Sequence, residues 1–419
     1  MTILNSIWKK LTHTKALEKS SGELEMAFFE TVYRVSYITG ISSVDNDIPY
    51  LVYGSTIKLL ILLLVFSEIW YAFTLTTSLD EIAASINTTL IQFITVYRYW
   101  TMLYHREVFR RLASSMESPY FDTSTQKRKL LIEYWAKKNE GYLRLLLFLG
   151  NSTLAVWFVY PLLDDLEYNL FIAIRLPYDF CSPFLYAVTY IIGVTAFMYM
   201  SHFVMVNDII MQAHLLHLVC QFAVLNDSLL NIVFDSERDL KGKCIDRNKL
   251  HENDEFVKIY LKRLRNMVHQ HQNILGHVRE LRNMLSGPML GQLAGSGTLI
   301  CFIGYEAATA AAENVTKCLM SLLFLSYNLF EFYIICRWGE EITVQSDRVG
   351  ESAYCSGWES GMSVVPGVKS SLFLIVARAN KPLMLTAGGM YNLSLMSYTS
   401  LVKASYSALT LLLRLKSTE

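Results

Sequence analysis

The chain is short of charge. Asp, Glu, Lys and Arg make up only 18% of its 419 residues, against 53% hydrophobic, where soluble domains carry about a quarter charged. Acidic and basic residues number 37 each, so no basic excess is available to hold nucleic acid. The cysteines (Cys181, Cys220, Cys244, Cys301, Cys318, Cys336 and Cys355) never fall at CxxC spacing, which argues against a zinc or disulfide framework. HExxH, GxSxG and paired intramembrane aspartates are missing, so the chain is not expected to be an enzyme. No inverted repeat or pair of broken helices marks a secondary transporter. The opening stretch, "MTILNSIWKKLTHTKALEKSSGELE", is polar and lacks an apolar run of the signal-peptide kind.

What is present is apolar length. Stretches near 49–72, 83–104, 143–163, 184–210, 289–310, 318–336 and 391–413 each approach the roughly 20 helical residues that cross a bilayer. They predict an all-α polytopic membrane protein with seven transmembrane helices. The second stretch is semi-polar, which suggests a face turned to protein or ligand. Lys9, Lys10, Lys15, Lys19 and Arg34 precede the first span, Arg106 to Lys138 follow the second, and Arg238 to Arg282 follow the fourth. Residues 73–82 hold no cation, and residues 164–183 have Arg175 alone against Asp164, Asp165, Glu167 and Asp179. Basic loops stay cytoplasmic, so the N-terminus is expected inside and the C-terminus outside. That is the reverse of a G-protein-coupled receptor, whose DRY and NPxxY triplets are also absent.

The intervals between spans carry their own patterns. In 253–287, Val257, Tyr260, Leu264, Met267, His271, Ile274, Val278, Leu281 and Leu285 alternate in steps of three and four, a heptad seam. Asn253 or Asp254 caps its start, and Ser286–Gly287–Pro288 is expected to interrupt it before the fifth span. The continuation of the fourth span, through "MQAHLLHLVCQFAVLNDSLL", is its expected partner. Residues 235–254 read as a polar, mobile loop. His214, His217, His269, His271 and His277 lack the carboxylate or cysteine that would complete a metal set, so no metal or other cofactor is expected. Residues 366–382 hold an apolar run too short to cross and read as a cytoplasmic helix, after which Gly388–Gly389 permits a sharp change of direction. Domain boundaries follow: 1–48 cytoplasmic segment, 49–235 spans one to four with an extension, 236–288 loop and heptad helix, 289–336 spans five and six, 337–390 cytoplasmic anchor, 391–413 last span and 414–419 tail.

The last span has a polar stripe. Ser400, Lys403, Ser407, Thr410 and Arg414 are spaced three, four, three and four apart and fall in an arc of roughly 80° on a helix. Ionisable residues at membrane depth face protein or water. The stripe therefore lines a water path shared between subunits or forms a helix–helix interface. Leu411 and Leu415 flank it near the outer end, where apolar rings can close a pore by dewetting. Glu331 in the sixth span is expected to pair with Lys58 or Lys403. Asn314-Val315-Thr316 is a glycosylation sequon expected outside, whereas Asn87 and Asn151 begin sequons too deep in the membrane.

The C-terminal stretch "RANKPLMLTAGGMYNLSLMSYTSLVKASYSALTLL" and the segment "LFEFYIICRWGEEITVQSDRVGESAYCSGWES" resemble the insect odorant receptors, in particular their odour-tuned subunits. The TYhhhhhQF-type ending of the related gustatory receptors is absent, and a gustatory-type receptor channel acting as a homomer is the alternative reading. The resemblance implies a subunit of a ligand-gated, non-selective cation channel in the plasma membrane of a sensory neuron dendrite. Its partners would be a volatile odorant, membrane lipid and a shared co-receptor subunit in a heterotetramer, with no nucleic acid. The cytoplasmic helices would anchor the subunits, and the last span would line the pore with its gate at Leu411 and then Leu415. Carried over by depth, the resemblance implies a ligand site at Ala83 and Ile86 in the second span, Gly150, Thr153 and Trp157 in the third, Tyr186, Tyr190 and Ile191 in the fourth, and Phe324 and Tyr327 in the sixth. An enclosed apolar cavity with aromatic walls and a few hydroxyls suits a volatile molecule.

Overall fold

The computed structural model describes residue 10 and residues 12–75, 79–163, 168–172, 174–240, 247–311, 314–359, 361–381 and 383–416, without the side chains of residues 72, 75, 79–88, 163 and 247–249. The fold is almost wholly helical. Its main helices are α1 (Glu23–Ile38), α2 (Ile48–Leu75), α3 (Leu79–Tyr104), α4 (Gln126–Leu163), α5 (Pro183–Leu230), α6 (Asp254–Ala310), α7 (Val315–Tyr354), α8 (Val368–Ala379) and α9 (Leu395–Lys416). Among the described residues, α2, α4, α5 and α7 are both long and apolar enough to cross a membrane. Helices α3, α6 and α9 have the length but carry polar faces. Helix α3 turns Gln92, Thr95, Arg98 and Thr101 inward, and α6 does the same with Gln292 and Ser296.

Helix α5 is the axis of the molecule. Ser182 caps its start by accepting from the Leu185 amide, and Pro183 occupies the first turn, where a missing N–H costs nothing. From Met200 onward nearly every side chain is buried, polar ones such as Asn207, Gln212 and His217 included. Helices α1, α4, α6 and α7 surround it. The inner ends are tied by Arg128, fully buried, which donates to Asp122, Asp227 and Asp235. Arg263 of α6 reaches Asp122 at 3.1 Å and Asp239 at 2.6 Å.

The structure corrects several sequence expectations. Ser286–Gly287–Pro288 does not interrupt a helix: α6 runs unbroken for 57 residues, about 85 Å at 1.5 Å per residue. A proline inside a helix removes one backbone hydrogen bond. Here the neighbouring turn gains another, since the Gly388 amide donates to the Ser286 carbonyl at 2.7 Å. Gly388 and Gly389 have φ of +61° and +72°, which glycine adopts without strain. They turn a two-strand hairpin, β1 (Thr386–Ala387) and β2 (Tyr391–Asn392), that the all-helical reading lacked. The last helix consequently starts at Leu395 and not at 391. Asn253 does cap α6, accepting from the Glu255 and Phe256 amides. The seam buries Phe256 in place of Val257, and the rest of it, Tyr260 to Leu285, is inside. It packs on α7 as well as on α5. The stretch 235–254, read as a mobile loop, begins within helix Ile232–Asp239 and holds a 3-10 turn at Arg247–Glu252, with residues 241–246 outside the described set. Helix α8 buries Val368, Leu372, Ile375 and Ala379 against α7.

Candidate ligand cavity and the polar helix face

Helices α3, α4, α5 and α7 enclose a cavity whose interior open to the centre of a water-sized sphere is about 60 Å³. Helices α4, α5 and α7 each give one face, at helical spacing. Helix α4 supplies Gly150, Thr153, Leu154 and Trp157; α5 supplies Phe197, Met200, Ser201, Val204 and Met205; α3 supplies Ile91 and Gln92; α7 supplies Phe324 and Tyr327. The Trp157 ring packs 4.9 Å from Phe197 and 5.2 Å from Phe324. Gly150 leaves room for Met205 and Tyr327. A methyl group there would lie 2.3 Å from the Met205 side chain and 3.3 Å from the Tyr327 ring.

Of the expected ligand residues, Gly150, Thr153, Trp157, Phe324 and Tyr327 meet around this cavity. Ala83 and Ile86 belong to α3, but their side chains lie outside the described residues. Tyr186, Tyr190 and Ile191 are not in the lining. The two tyrosines stand toward the N-terminal end of α5, where their hydroxyls donate to the carbonyls of Asn169 and Phe158. Phe171 packs between Tyr190 (5.7 Å) and Phe197 (5.5 Å), so these tyrosines brace an aromatic plug above the cavity. Ile191 is 65% exposed and faces away from the core. The α5 lining from Phe197 to Met205 and the α3 pair Ile91 and Gln92 were not anticipated.

Below the cavity lies a buried ionic cluster. Tyr327 donates from its hydroxyl to Asp208 Oδ2 at 2.7 Å. Asp208 Oδ1 is 2.7 Å from Arg98 Nη2, and Arg98 Nη1 reaches Glu331 Oε1 at 3.2 Å and Gln292 Oε1 at 2.9 Å. Gln292 in turn donates to Glu331 at 2.8 Å and to Ser296 at 3.2 Å. All are buried. Glu331 thus pairs with Arg98, not with Lys58 or Lys403. A cation and two carboxylates this deep are tolerated only when hydrogen-bonded to one another. The cluster ties α3, α5, α6 and α7 together directly beneath the cavity.

Helix α6 carries the next connection. Gly297 and Gly304, two turns apart, let α9 approach: methyl groups there would meet Leu401 and Leu409 at 3.0 Å. Ser405 is buried and donates to the Gly297 carbonyl at 2.9 Å. The first turn of α9 is held by Glu340 of α7, which accepts from the Leu395 amide at 2.9 Å and satisfies a donor that a helix start leaves free. At about 100° per residue, Leu401, Ser405 and Leu409 centre on one side of α9 and the polar stripe on the opposite side. Ser400, Lys403, Ser407 and Arg414 are exposed and Thr410 is half-buried. Leu411 and Leu415, beside the stripe, are 60% and 54% exposed. Asn314 caps α7 by accepting from the Lys317 amide, which leaves its amide nitrogen outside that bond. Among the described residues no group of three or more His, Cys, Asp or Glu side chains could hold a metal ion.

Comparisons with known proteins agree on one group. A family model described as 7tm Odorant receptor matches residues 78–406. Odorant receptor 13a of Drosophila melanogaster is 24% identical over 245 residues, covering 56% of this chain and 55% of that protein. Odorant receptor 2a of the same species is 28% identical over 137 residues, 32% and 34% of the two chains. Odorant receptor 10 of Aedes albopictus is 24% identical over 148 residues, 35% and 38%. The matched region thus spans about half or less of these relatives. In three dimensions the chain is similar to the insect olfactory receptor OR5 from Machilis hrabei, solved in complex with eugenol. That likeness has a TM-score of 0.76 at 15% identity and covers 94% of this chain and 100% of the other.

Proposed function

The chain belongs to the 7tm odorant receptor family, and from that premise we propose that it is the odorant-binding subunit of a ligand-gated, non-selective cation channel. It works with a shared co-receptor subunit in a heterotetramer of the plasma membrane, with its N-terminus cytoplasmic and its C-terminus outside. A volatile molecule occupies the cavity between α3, α4, α5 and α7. The eugenol complex of the Machilis receptor supports a small-molecule site in this fold.

The observation that carries the channel reading is the two-faced α9. One face is packed on the α6 glycines through Leu401, Ser405 and Leu409. The other presents Ser400, Lys403, Ser407, Thr410 and Arg414 away from its own subunit. A single chain cannot enclose a pore with such a face, whereas copies around a closed symmetry axis can. Leu411, with Leu415 beyond it, forms the apolar constriction that gates the path. Ligand in the cavity acts on Tyr327, and through Asp208, Arg98 and Gln292 on α6, against which α9 is packed. The cytoplasmic seam and α8 supply the anchor between subunits.

The test is an odorant panel on cells expressing the chain with and without a co-receptor. Odorant-evoked cation currents that require both chains support the reading. Currents from this chain alone would make it a homomeric channel, and no current with any volatile would remove the receptor assignment.

A further inference from the structure

We infer that the cavity selects small molecules carrying a hydroxyl group, and that Gln92 reads that hydroxyl. The inference rests on the odorant-receptor reading and narrows the ligand class.

The lining is apolar apart from a few groups, and two of its hydroxyls are already engaged. Thr153 donates to the Leu149 carbonyl at 2.9 Å, and Tyr327 donates to Asp208. Ser201 adds a half-buried hydroxyl. Buried and without a hydrogen-bond partner among the described residues are Gln92 Oε1 and Trp157 Nε1. Both residues line the cavity. One is an acceptor and the other a donor.

Glu68 of α2 is 1% exposed and lies beside the Gln92 side chain. Neither of its carboxyl oxygens has a hydrogen-bond partner among the described residues, and the Gln92 carbonyl oxygen has none either. An unpaired buried acceptor costs free energy until a donor meets it. Hydrocarbons offer nothing to this oxygen. Ethers, esters and ketones only accept, so they leave Gln92 unpaired. A hydroxyl donates to Gln92 and can accept from the Trp157 indole. Sites built to bond a hydroxyl discriminate strongly against analogues that lack it.

The experiment uses phenol, anisole and toluene, three probes of one ring size, on cells expressing the full-length chain with a co-receptor. Cells with the co-receptor alone are the control. Phenol is expected to open the channel at concentrations about tenfold or more below those required for anisole, with toluene no better than anisole. Gln92→Leu is expected to abolish that gap by weakening phenol while sparing toluene. Gln92→Met, closer in shape, serves if the leucine variant does not reach the surface. Equal potency of phenol and anisole on the unaltered chain overturns the inference, as does a gap that survives either substitution. If none of the three opens the channel while other volatiles do, the hydroxyl inference falls and the receptor reading stands. If no volatile opens it, the receptor reading falls as well.

Discussion

Tyr327 and Asp208 join the cavity to the ionic cluster: the tyrosine ring lines one, and its hydroxyl, 2.7 Å from Asp208 Oδ2, belongs to the other. Cavity wall and charge network therefore share one rigid side chain. Tyr327→Phe keeps the ring and removes only the link. It is expected to lower the maximal odorant current while shifting the half-maximal concentration less than Tyr327→Ala does. The alanine variant removes an aromatic wall and should shift the curve by about tenfold or more. Dose–response recordings check both, with a co-receptor agonist to show that channels are present. A phenylalanine variant identical to the unaltered chain would rule out coupling through the hydroxyl.

Removing Arg98 leaves Asp208 and Glu331 buried together with no cation. Breaking one partner out of a buried ion pair costs about 3–5 kcal/mol, enough to consume much of a domain's stability. Arg98→Met is expected to abolish surface expression. The triple change Arg98→Met, Asp208→Asn, Glu331→Gln removes all three charges and should restore part of it. Surface labelling decides, and a triple variant no better than the single one would show that the charges are not what Arg98 holds in place.

Leu409 and Leu411 lie on different sides of α9. Leu409 packs on Gly304, and Leu411 is 60% exposed. Leu411→Ser is expected to raise the current in the absence of odorant by wetting the constriction. Leu409→Ser should instead reduce expression without leak. Lys403→Glu, on the stripe, should alter conductance or cation preference. Leak from the Leu409 variant and none from Leu411 would place the pore on the other side of the helix.

His271, in the N-terminal half of α6, is pushed down to about 4 by burial, with Arg378 nearby adding repulsion. Unfolded, a histidine titrates near 6.5. Between those values the unfolded chain binds a proton that the folded chain refuses, so stability falls as pH drops from about 6.5 toward 4 and is unaffected above that window. The full effect is about 3 kcal/mol. Thermal melts of the detergent-solubilised chain at pH 7.5 and 5 should differ more for the unaltered protein than for His271→Leu. Equal differences would mean that other groups govern the acid response.

Much of the architecture was legible because membrane crossing and helical periodicity both leave strong marks on sequence. The apolar runs, the Asn253 cap, the seam from Tyr260 to Leu285 and the polar stripe of α9 are local patterns, readable one helix at a time. What failed depended on neighbours. Pro288 reads as a stop, yet the partner that supports its turn, the Gly388 amide, is 100 residues away in sequence. Glu331 pairs with Arg98, 233 positions distant, and nothing local in either helix announces the match. The cavity shows the same division. The expected residues on α4 and α7 line the cavity, whereas Gln92 and the stretch Phe197 to Met205 join that lining through the way α3 and α5 pack on their neighbours.

The unbroken run of α6 gives the molecule a shaft. Its inner arm, from Asp254 to Pro288, is about 51 Å long, and its outer arm, from Pro288 to Ala310, is about 33 Å at 1.5 Å per residue. The hairpin that bonds at Ser286 sits where the two arms meet. A tilt about that point swings the Asp254 end and the end that cradles α9 in opposite directions, with the first excursion about half as large again as the second. In the proposed channel, subunit assembly and pore geometry are two ends of one lever, so a restraint on the bundle at the Asp254 end is expected to restrict the travel of α9 without touching it.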